Sequence, residues 1–370
     1  MSVERFDVAV VGGGVAGLIT GRRIAERGLR SVILDEHERV GDAWRERYES
    51  LRLFSYRRYA SPPGAPLPMA RWDCPTGVQL ADHLEAMVRR EALPVRCGVR
   101  VDRLSRRADG TFVLETTSAG AASRVLADAV VVATGAHRRP VVPPFADLLD
   151  PGIPQLHSLG YRSAAGLAPG PVLVVGAGNS GTDIALDAAR AGHETVLAGR
   201  HPGQTPFELD SPRGRLASTA MLFALRHLTV RTPMGRRMKE RLRDHGLLLI
   251  RNKLAHLDAA GVRRLGRVVG ARNGLPVVAG GDVLRPGTIV WATGSRPDLR
   301  FLDVEGALDD DGEPVQTEGI ADRVPGLGFV GLDFQYSAAS GTIQGMDRDA
   351  RAVLRALLAP ARRRSHTVAA

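Results

Sequence analysis

The sequence contains little cysteine and no long apolar run. Its 370 residues include two cysteines, Cys74 and Cys97, which are too few and too far apart for a disulfide scaffold or a zinc site. They form no Cys-x-x-Cys motif, so the paired redox site of a thioredoxin-type or glutathione-type disulfide reductase is excluded. No stretch approaches the ~18 apolar residues that a membrane span needs. We therefore expect no transmembrane segment.

Lysine is also scarce, since only Lys239 and Lys253 are present and arginine supplies nearly all of the basic charge. A net charge of +10 can indicate a polyanionic partner. The arginines are spread along the chain, however, without zinc-finger spacing or a basic–aromatic stripe, so we expect no nucleic-acid partner. The ten histidines show no ligand spacing for a metal.

Targeting signals are missing from the N-terminus as well. The chain enters a strand directly, without the basic, apolar and small-residue regions of an export signal. Together with the unpaired cysteines, this predicts a cytoplasmic location.

What the sequence does contain is two glycine loops. The first, VVGGGVAG at 10–17, follows a short apolar strand and opens a helical pattern. Its glycines are Gly12, Gly14 and Gly17, and a second strand ends in Asp35. A dinucleotide-binding unit has this order of elements: a strand, a glycine loop, a helix, a second strand and an acidic residue. In such a unit Asp35 is expected to accept hydrogen bonds from ribose hydroxyls. We assign the permanently bound nucleotide, FAD, to this unit.

The second loop, VVGAGNSG at 174–181, repeats the pattern with Gly176, Gly178 and Gly181. Its second strand ends in Arg200 in place of an acid. An arginine can pair with a 2′-phosphate that a carboxylate would repel, so this unit is predicted to bind NADPH rather than NADH. Asn179 and Ser180, at the start of its helix, complete the predicted contacts.

Several further segments resemble those of class B flavin-dependent monooxygenases, a group that includes flavin-containing monooxygenases, YUCCA-like enzymes and related bacterial FAD/NADPH oxidoreductases. These segments are VGDAWRERYESLRL at 40–53, VVVATGAHRRPVVP at 130–143, LHSLGYR at 156–162, IVWATGSRPD at 289–298 and GLGFVGLDFQYSAASGTIQGMDRDA at 326–350. The resemblance covers nearly all of 6–355. It implies FAD contacts at Trp44, Arg45, Thr134, Gly135 and Gly331, and NADPH contacts at Thr293 and Gly294.

The sequence also departs from that group. It has Asp35 where the family usually has Glu, and Gly152 precedes His157 by five positions instead of four. Animal-type members place an asparagine beside the flavin in the segment matching 51–60, and this chain has none there, a feature shared with YUCCA-like members. His157 is the candidate for a titratable catalytic group, against a structural role for the same side chain.

The sequence predicts an α/β fold of two dinucleotide-binding, Rossmann-like domains. We expect a discontinuous FAD domain at 1–160 and 287–360, an inserted NADPH domain at 171–286 and a basic tail at 361–370. Residues 201–256 interrupt the NADPH domain with helical spacing, and TAMLFAL at 219–225 is expected to be a buried helix segment. This insertion is interpreted as a surface helical unit, a lid over the substrate pocket or a peripheral membrane contact. A helix is expected to begin near 340–343.

Three functional classes follow from these features. The resemblance implies a monooxygenase in which NADPH reduces the flavin, O₂ forms a C4a-(hydro)peroxyflavin and a small organic substrate is oxygenated. The second class is an NADPH-dependent reductase of a diffusible acceptor such as a quinone, and the third is a flavoprotein redox sensor without turnover. The sequence leaves the substrate and the oligomeric state open.

Overall fold

The computed structural model describes residues 4–245 and 247–359, so the tail predicted at 361–370 lies outside the described residues. The helices are α1 Val15–Ala25, α2 Asp42–Arg45, α3 Arg57–Ala60, α4 Gly77–Glu91, α5 Asn179–Arg190, α6 Pro212–His227, α7 Pro233–His245, α8 Leu254–Ala259 and α9 Ile343–Leu357. Short 3₁₀ helices lie at Pro144–Leu148 and Ala164–Gly166. The strands up to the second glycine loop are β1 Glu4–Val11, β2 Ser31–Leu34, β3 Val95–Arg96, β4 Arg100–Arg106, β5 Phe112–Ser118, β6 Ala121–Val132, β7 Arg139–Pro140, β8 Gln155–His157 and β9 Val172–Val175. The later strands are β10 Thr195–Ala198, β11 Arg263–Leu265, β12 Val268–Arg272, β13 Leu275–Val278, β14 Thr288–Trp291, β15 Ser295–Arg296, β16 Gln316–Thr317, β17 Ile320–Ala321 and β18 Leu327–Phe329.

The larger sheet has the order β16-β17-β18-β6-β1-β2-β3, and β5 pairs with both β4 and β6. Its centre is parallel, because β1 pairs in parallel with β2 and β6, and β18 with β6. Parallel strands buried on both faces read as continuous apolar runs, which is how AVV in β1 and AVVV in β6 read. One face packs on α1, α4 and α9, and the other on the apolar side chains around Phe112 and Leu327. This sheet combines strands from 4–132 with strands from 316–329.

The second sheet is parallel throughout, in the order β11-β10-β9-β14-β8. The predicted α/β fold with two Rossmann-like units is confirmed. One detail of the expected organisation needs correction. We placed β8 and β14 with the FAD domain, whereas both pair within the second sheet, since β14 hydrogen-bonds to β9 on one side and to β8 on the other. We therefore propose that the NADPH domain begins near 155 and ends near 291.

The insertion at 201–256 carries α6, α7 and the first half of α8. The expectation that 219–225 is buried was wrong, because Phe223 is 67% exposed and Leu216, two helical turns earlier, is 75% exposed. The fully buried residues of α6 are the small Gly214 and Ser218, while Met221 and Leu222 are partly buried against the cluster of Tyr56 and Tyr59. An apolar composition therefore predicted the helix and not the face that it buries.

Among the residues that the structure describes, none of the helices combines the length and the apolar character required to cross a membrane. Within the same residues, no cluster of three or more histidine, cysteine, aspartate or glutamate side chains is arranged to hold a metal ion.

Candidate functional site

The first glycine loop joins β1 to α1 in a turn that only glycine can form. Gly12 has φ +103°, and a Cβ there would lie 2.6 Å from the carbonyl oxygen of Ala133. A Cβ on Gly17 would overlap the carbonyl oxygen of Gly12, so this glycine allows α1 to pack directly on the turn. Both residues are required by backbone packing within the protein itself.

Gly14 differs, because a Cβ on it would meet no protein atom within 4 Å. It precedes α1, and none of the described side chains caps that helix end. Its first backbone N–H groups are therefore free for an anion, and the helix dipole favours negative charge there. An open backbone surface at a helix N-terminus fits a dinucleotide pyrophosphate.

Asp35 follows β2 and faces the same loop. One carboxylate oxygen, Oδ2, accepts a hydrogen bond from the backbone N–H of Gly13. The other, Oδ1, accepts from the backbone N–H of His37 at 2.8 Å and contacts His37 Nδ1 at 2.7 Å. Burial opposes ionisation of Asp35, but these hydrogen bonds outweigh it and hold its pKa below the usual value. The shorter acid is thus fixed to the loop as a carboxylate and keeps lone pairs for ribose hydroxyls.

His37 was missed by the sequence analysis. Its hydrogen bond to Asp35 raises its pKa, and Glu46 Oε2 lies 3.4 Å from Nε2. An open cavity of about 450 Å³ beside it is lined by Glu36, His37, Glu46, Gly98, Arg100, Thr117 and Arg138. This cavity beside the Asp35–His37 pair is lined mainly by polar side chains. The signal that could have identified His37 is its position two residues after Asp35, where its backbone and ring can both reach the carboxylate.

The segment with Trp44 and Arg45 lies between the first loop and α4. Trp44 is half-buried against the core that contains α1 and α4. The Arg45 guanidinium binds the carboxylates of Asp42 at 3.0 Å, Asp82 at 2.7 Å and Glu85 at 2.8 Å. Its donors therefore join α2 to α4, and the FAD contact predicted for Arg45 stays a prediction that these ion pairs do not favour.

Thr134, Gly135 and Gly331 are brought close to the first loop. Gly135 has φ +86° and open space where a Cβ would be, and the backbone of Thr134 abuts Gly12. A Cβ on Gly331 would lie 2.8 Å from Ala16 Cβ, so the segment after β18 runs against the start of α1. The structure thus gathers the glycines of all three segments, 12–17, 133–135 and 331, at one edge of the larger sheet.

The second glycine loop reproduces the first in detail. Gly176 has φ +112° and abuts the carbonyl oxygen of Ala292, while a Cβ on Gly181 would overlap the Gly176 carbonyl oxygen. Gly178 is open, as Gly14 is, and precedes α5, which no described side chain caps. Each loop therefore packs on its own Ala-Thr-Gly turn, 133–135 for the first and 292–294 for the second. This pairing gives a steric reason for both turns.

Arg200 is exposed at the end of β10, beside the second loop. It follows Gly199, whose backbone approaches the loop so closely that a Cβ would lie 2.8 Å from the Ala177 nitrogen. His201, which the sequence analysis missed, accepts a hydrogen bond at Nδ1 from Gly203, while its Nε2 is buried without a partner among the described residues. Burial and the charge of Arg264 lower the pKa of His201. The NADPH contact of Arg200 stays a prediction.

Asn179 and Ser180 have different surroundings at the start of α5. Ser180 is exposed. The Asn179 amide instead donates to the carbonyl of Leu248 at 3.1 Å and accepts from the backbone N–H of Ile250 at 3.3 Å. The Asn179 side chain thus holds the segment at 248–250, where the insertion returns to α5. The NADPH contact of Asn179 stays a prediction, and the backbone of Asn179 would have to make it.

His157 ends β8 and contacts the second Ala-Thr-Gly turn. Its Nδ1 accepts from the backbone N–H of Leu159 at 3.1 Å, so Nε2 carries the proton and donates to the Gly294 carbonyl at 2.9 Å. Thr293 Oγ1 donates to the Val141 carbonyl at 2.5 Å. Burial, reinforced by the charge of Arg47, lowers the pKa of His157 despite the Gly294 hydrogen bond. A neutral ring with both nitrogens engaged supports the structural role over the catalytic one.

Two tyrosines donate hydrogen bonds to carboxylates of α5. Tyr48 donates its hydroxyl to Asp183 on α5, and Tyr161 donates to Asp187 one turn later, both at 2.7 Å. Their rings lie 6.3 Å apart at an angle of 58°. The segment that follows Trp44 is thereby fixed to the helix of the second loop.

The two cysteines lie in different clusters. Cys74 packs beside Tyr56 and Phe207, and Cys97 beside the α1–α4 core. Burial raises the pKa of the Cys74 thiol to about 11 and raises that of Cys97 as well. The two thiols are not joined in a disulfide, and they lie in separate clusters.

Comparison with known proteins agrees with this geometry. The sequence model of the pyridine nucleotide-disulphide oxidoreductases matches residues 9–218. A CzcO-like protein of Geobacillus kaustophilus, described as an uncharacterized oxidoreductase, is 30% identical over 353 residues, which cover 95% of this chain and 98% of that protein. Indole-3-pyruvate monooxygenase YUCCA1 of Oryza sativa is 28% identical over 193 residues, or 52% of this chain and 47% of that protein.

Among solved structures, a flavin monooxygenase from Stenotrophomonas maltophilia superposes with a TM-score of 0.75 at 27% identity, over 96% of this chain and 98% of that chain. FAD and NADP(H) are the cofactors that this likeness and the family support for the two loops. The matched segment contains the first loop, the second loop and the strand ending at Arg200. The chain belongs to the pyridine nucleotide-disulphide oxidoreductase family, and within it resembles the flavin monooxygenases.

Proposed function

We propose that this chain is an FAD-containing, NADPH-dependent monooxygenase that transfers one oxygen atom of O₂ to a small organic substrate. The observation that carries the proposal is the repeated loop geometry. Gly14 and Gly178 are both open at the start of an uncapped helix, and each loop is fixed by its own Ala-Thr-Gly turn. Such a chain can hold two dinucleotides at once.

In this proposal, FAD at the first loop would accept a hydride from NADPH at the second loop and would supply the chemistry with O₂, with oxygen transfer through a C4a-(hydro)peroxyflavin. The protein supplies binding, orientation and electrostatics. α9 begins at Ile343, after Thr342, whose hydroxyl accepts from the backbone N–H of Gly345 at 3.3 Å. The positive end of this 15-residue helix follows the segment that starts at Gly331, and it favours negative charge beside that segment.

No proton-transfer residue is required for hydride transfer, and the surroundings of His157 agree with this. Its two ring nitrogens are engaged by Leu159 and Gly294, and its lowered pKa keeps it neutral near pH 7. We therefore assign His157 to positioning the second Ala-Thr-Gly turn. The unpaired, protonated cysteines are compatible with a cytoplasmic location, which is also part of the proposal.

A second candidate is an NADPH-dependent reductase of a diffusible acceptor. It is favoured by the placement of the asparagines, of which the chain has three. Asn179 binds the insertion, Asn252 binds Asp183, and Asn273 forms the turn between β12 and β13 with φ +51°. None of them supplies an amide donor to the segment at 51–60, where the animal-type enzymes have one.

Rapid mixing separates the two candidates. The FAD-loaded protein is reduced with NADPH without oxygen, then mixed with O₂ while the flavin spectrum is followed. A monooxygenase gives a transient blue-shifted flavin intermediate that lasts longer when NADP⁺ stays bound, because the nucleotide excludes water. Direct return to oxidised flavin, together with faster reoxidation by a quinone than by O₂, would establish the reductase instead.

A further inference from the structure

Three guanidinium groups surround the indole ring of Trp72. The Cζ atoms of Arg58, Arg71 and Arg215 lie 5.2, 5.4 and 5.8 Å from the centroid of that ring. The Arg58 guanidinium also lies 4.7 Å from the centroid of the Tyr59 ring in α3. An indole attracts a cation over its face, but three like charges around one ring also repel one another. The cluster therefore concentrates positive charge between α3 and α6.

The three arginines have no acidic partner among the described residues. Within that part of the chain, none of their guanidiniums makes a hydrogen bond or an ion pair. Asp73 and Asp210 are exposed, and neither of these carboxylates is ion-paired with a described arginine. The Nε atom of Arg215 is buried and has no hydrogen-bond partner in the described residues. Burying a cation without a partner is unfavourable, so an anion bound at the outer nitrogens would stabilise this arrangement.

The surroundings of Trp72 are apolar. Its ring contacts that of Tyr56 edge-on, with the two centroids 5.3 Å apart and an angle of 89° between the planes. Phe207, Met221 and Leu222 of the insertion are partly buried against the same group of side chains. A ligand with oxygens for the guanidiniums and an apolar body for these side chains would match both features. Inorganic phosphate would match only the first.

The cluster adjoins the beginning of α9. Gln344, the second residue of that helix, donates from Nε2 to the carbonyl oxygen of Arg58 at 3.1 Å. On the other side, the Tyr59 hydroxyl donates to Thr219 Oγ1 on α6 at 3.0 Å. The guanidiniums around Trp72 therefore lie between the insertion and the helix whose positive end follows the segment that starts at Gly331.

We infer that the three guanidiniums around Trp72 bind the carboxylate or sulfonate group of an organic substrate, whose apolar body packs on the neighbouring side chains. The inference rests on the proposed function where it identifies the bound anion as the substrate. The binding of an organic anion at this place can be measured without turnover. The phosphates of the nicotinamide dinucleotide offer the same kind of oxygens, so the experiment must separate the two sources.

The test is calorimetric titration of FAD-loaded protein with benzoate, benzenesulfonate and hexanoate, in the presence and absence of NADP⁺. Benzyl alcohol is the uncharged probe, and inorganic phosphate is the anion without an apolar body. The variants are Arg215→Met and Arg71→Met, and Arg71 is exposed, so its replacement should leave folding intact. Arg190→Met is the matched control, since Arg190 is an exposed arginine at the end of α5. The thermal unfolding midpoint and the dissociation constant of NADP⁺ are measured for each protein.

At least one of the three organic anions is expected to bind saturably, with a dissociation constant that Arg71→Met and Arg215→Met each raise about tenfold and Arg190→Met leaves unchanged. Benzyl alcohol and inorganic phosphate should bind about tenfold more weakly or less. Absence of binding by all three anions would overturn the inference, as would equal binding of either comparison probe or unchanged affinity in both variants.

Two further outcomes separate the sources. Weaker NADP⁺ binding in Arg71→Met and Arg215→Met, with organic anions bound as before, would reassign the arginines to the nucleotide and overturn the inference. Reduced protein that forms no flavin intermediate with O₂ although an organic anion binds at these arginines would overturn the proposed function, because the binding measurement involves no turnover.

Discussion

The hydroxyl of Tyr48 lies 2.7 Å from Asp183 Oδ2, and this hydrogen bond joins the FAD-side segment to the helix of the second loop. Asp183 also accepts from Arg251 Nη2 at 2.6 Å and from Asn252. The Asp183 carboxylate thereby accepts hydrogen bonds from one tyrosine of the FAD-side segment and from two residues of the insertion. The contact between the two units is polar at this point. The Asp183 carboxylate keeps all of its hydrogen bonds only if each of these three partners is present.

Tyr48→Phe should destabilise the protein by about 1.5–3 kcal/mol, because it removes a hydrogen bond to a charged group in a buried site. Denaturant unfolding followed by circular dichroism measures the change. Tyr336→Phe is the matched control, since the Tyr336 ring packs under Arg231 and Arg348 and keeps those contacts as phenylalanine. Equal stability of both variants and the parent would show that the Tyr48 hydroxyl contributes nothing.

Gly14→Val should abolish FAD retention while the fold remains intact. A side chain at Gly14 meets no protein atom, and the residue has φ −71°, so valine is tolerated until a pyrophosphate must approach the backbone. The readouts are the FAD released on denaturation and the thermal unfolding midpoint of the apoprotein. Gly270→Val in β12 is the control, because it also points into open space but lies far from both loops. A yellow Gly14→Val protein would contradict the assignment.

Arg200→Ala should reduce the preference for NADPH over NADH by about ten- to a hundredfold. The loss corresponds to one charge-assisted contact to the 2′-phosphate, worth ~1.5–3 kcal/mol. The ratio of kcat/KM for flavin reduction by the two nucleotides measures it. Arg272→Ala removes an equal charge from β12 and should leave the ratio unchanged. The same ratio in Arg200→Ala as in the parent would refute the role of Arg200.

The Asp35–His37 pair should make the stability of the first loop depend on pH. The pKa of His37 is raised in the folded protein, so its contribution is fully present below the unfolded value of 6.5 and is lost as pH rises through the folded pKa. The pKa of Asp35 is lowered, so its contribution is present above about 3.9 and is lost as pH falls through the folded value. His37→Gln should flatten the decline of the unfolding free energy above pH 6.5. A parallel decline in both proteins would exclude His37 as its origin.

Sequence alone predicted the elements whose local pattern is decisive. The glycines at 12, 14 and 17 and at 176, 178 and 181 allow backbone turns that larger residues would block. Asp35 and Arg200 follow the second strand of their units, as the sequence pattern predicted. Contacts between distant segments could not be read in the same way. Nothing local assigns Arg45 to carboxylates on α4, nor the Asn179 amide to residues about seventy positions later.

Composition also gave a wrong prediction of burial in α6, because composition does not indicate which face of a helix packs against the protein. The apolar run at 219–225 forms part of α6 as expected, yet Phe223 is 67% exposed, while Met221 and Leu222 of the same run pack partly against the protein. β8 and β14 were placed with the wrong domain because strand pairing is set by topology, which strands of three and four residues do not reveal by themselves.

The insertion is attached to the rest of the protein at two places, one near the second glycine loop and one near the segment before α9. At one end its returning segment is held by the Asn179 amide, at the start of α5. At the other, Val230 donates to the Tyr336 carbonyl at 3.0 Å, and Arg231 is ion-paired with Glu318, so the chain between α6 and α7 is fixed to the segment before α9. A rotation that separates α5 from the segment before α9 must break one of these attachments. The two units can therefore rotate apart only if the insertion deforms or one of its attachments opens.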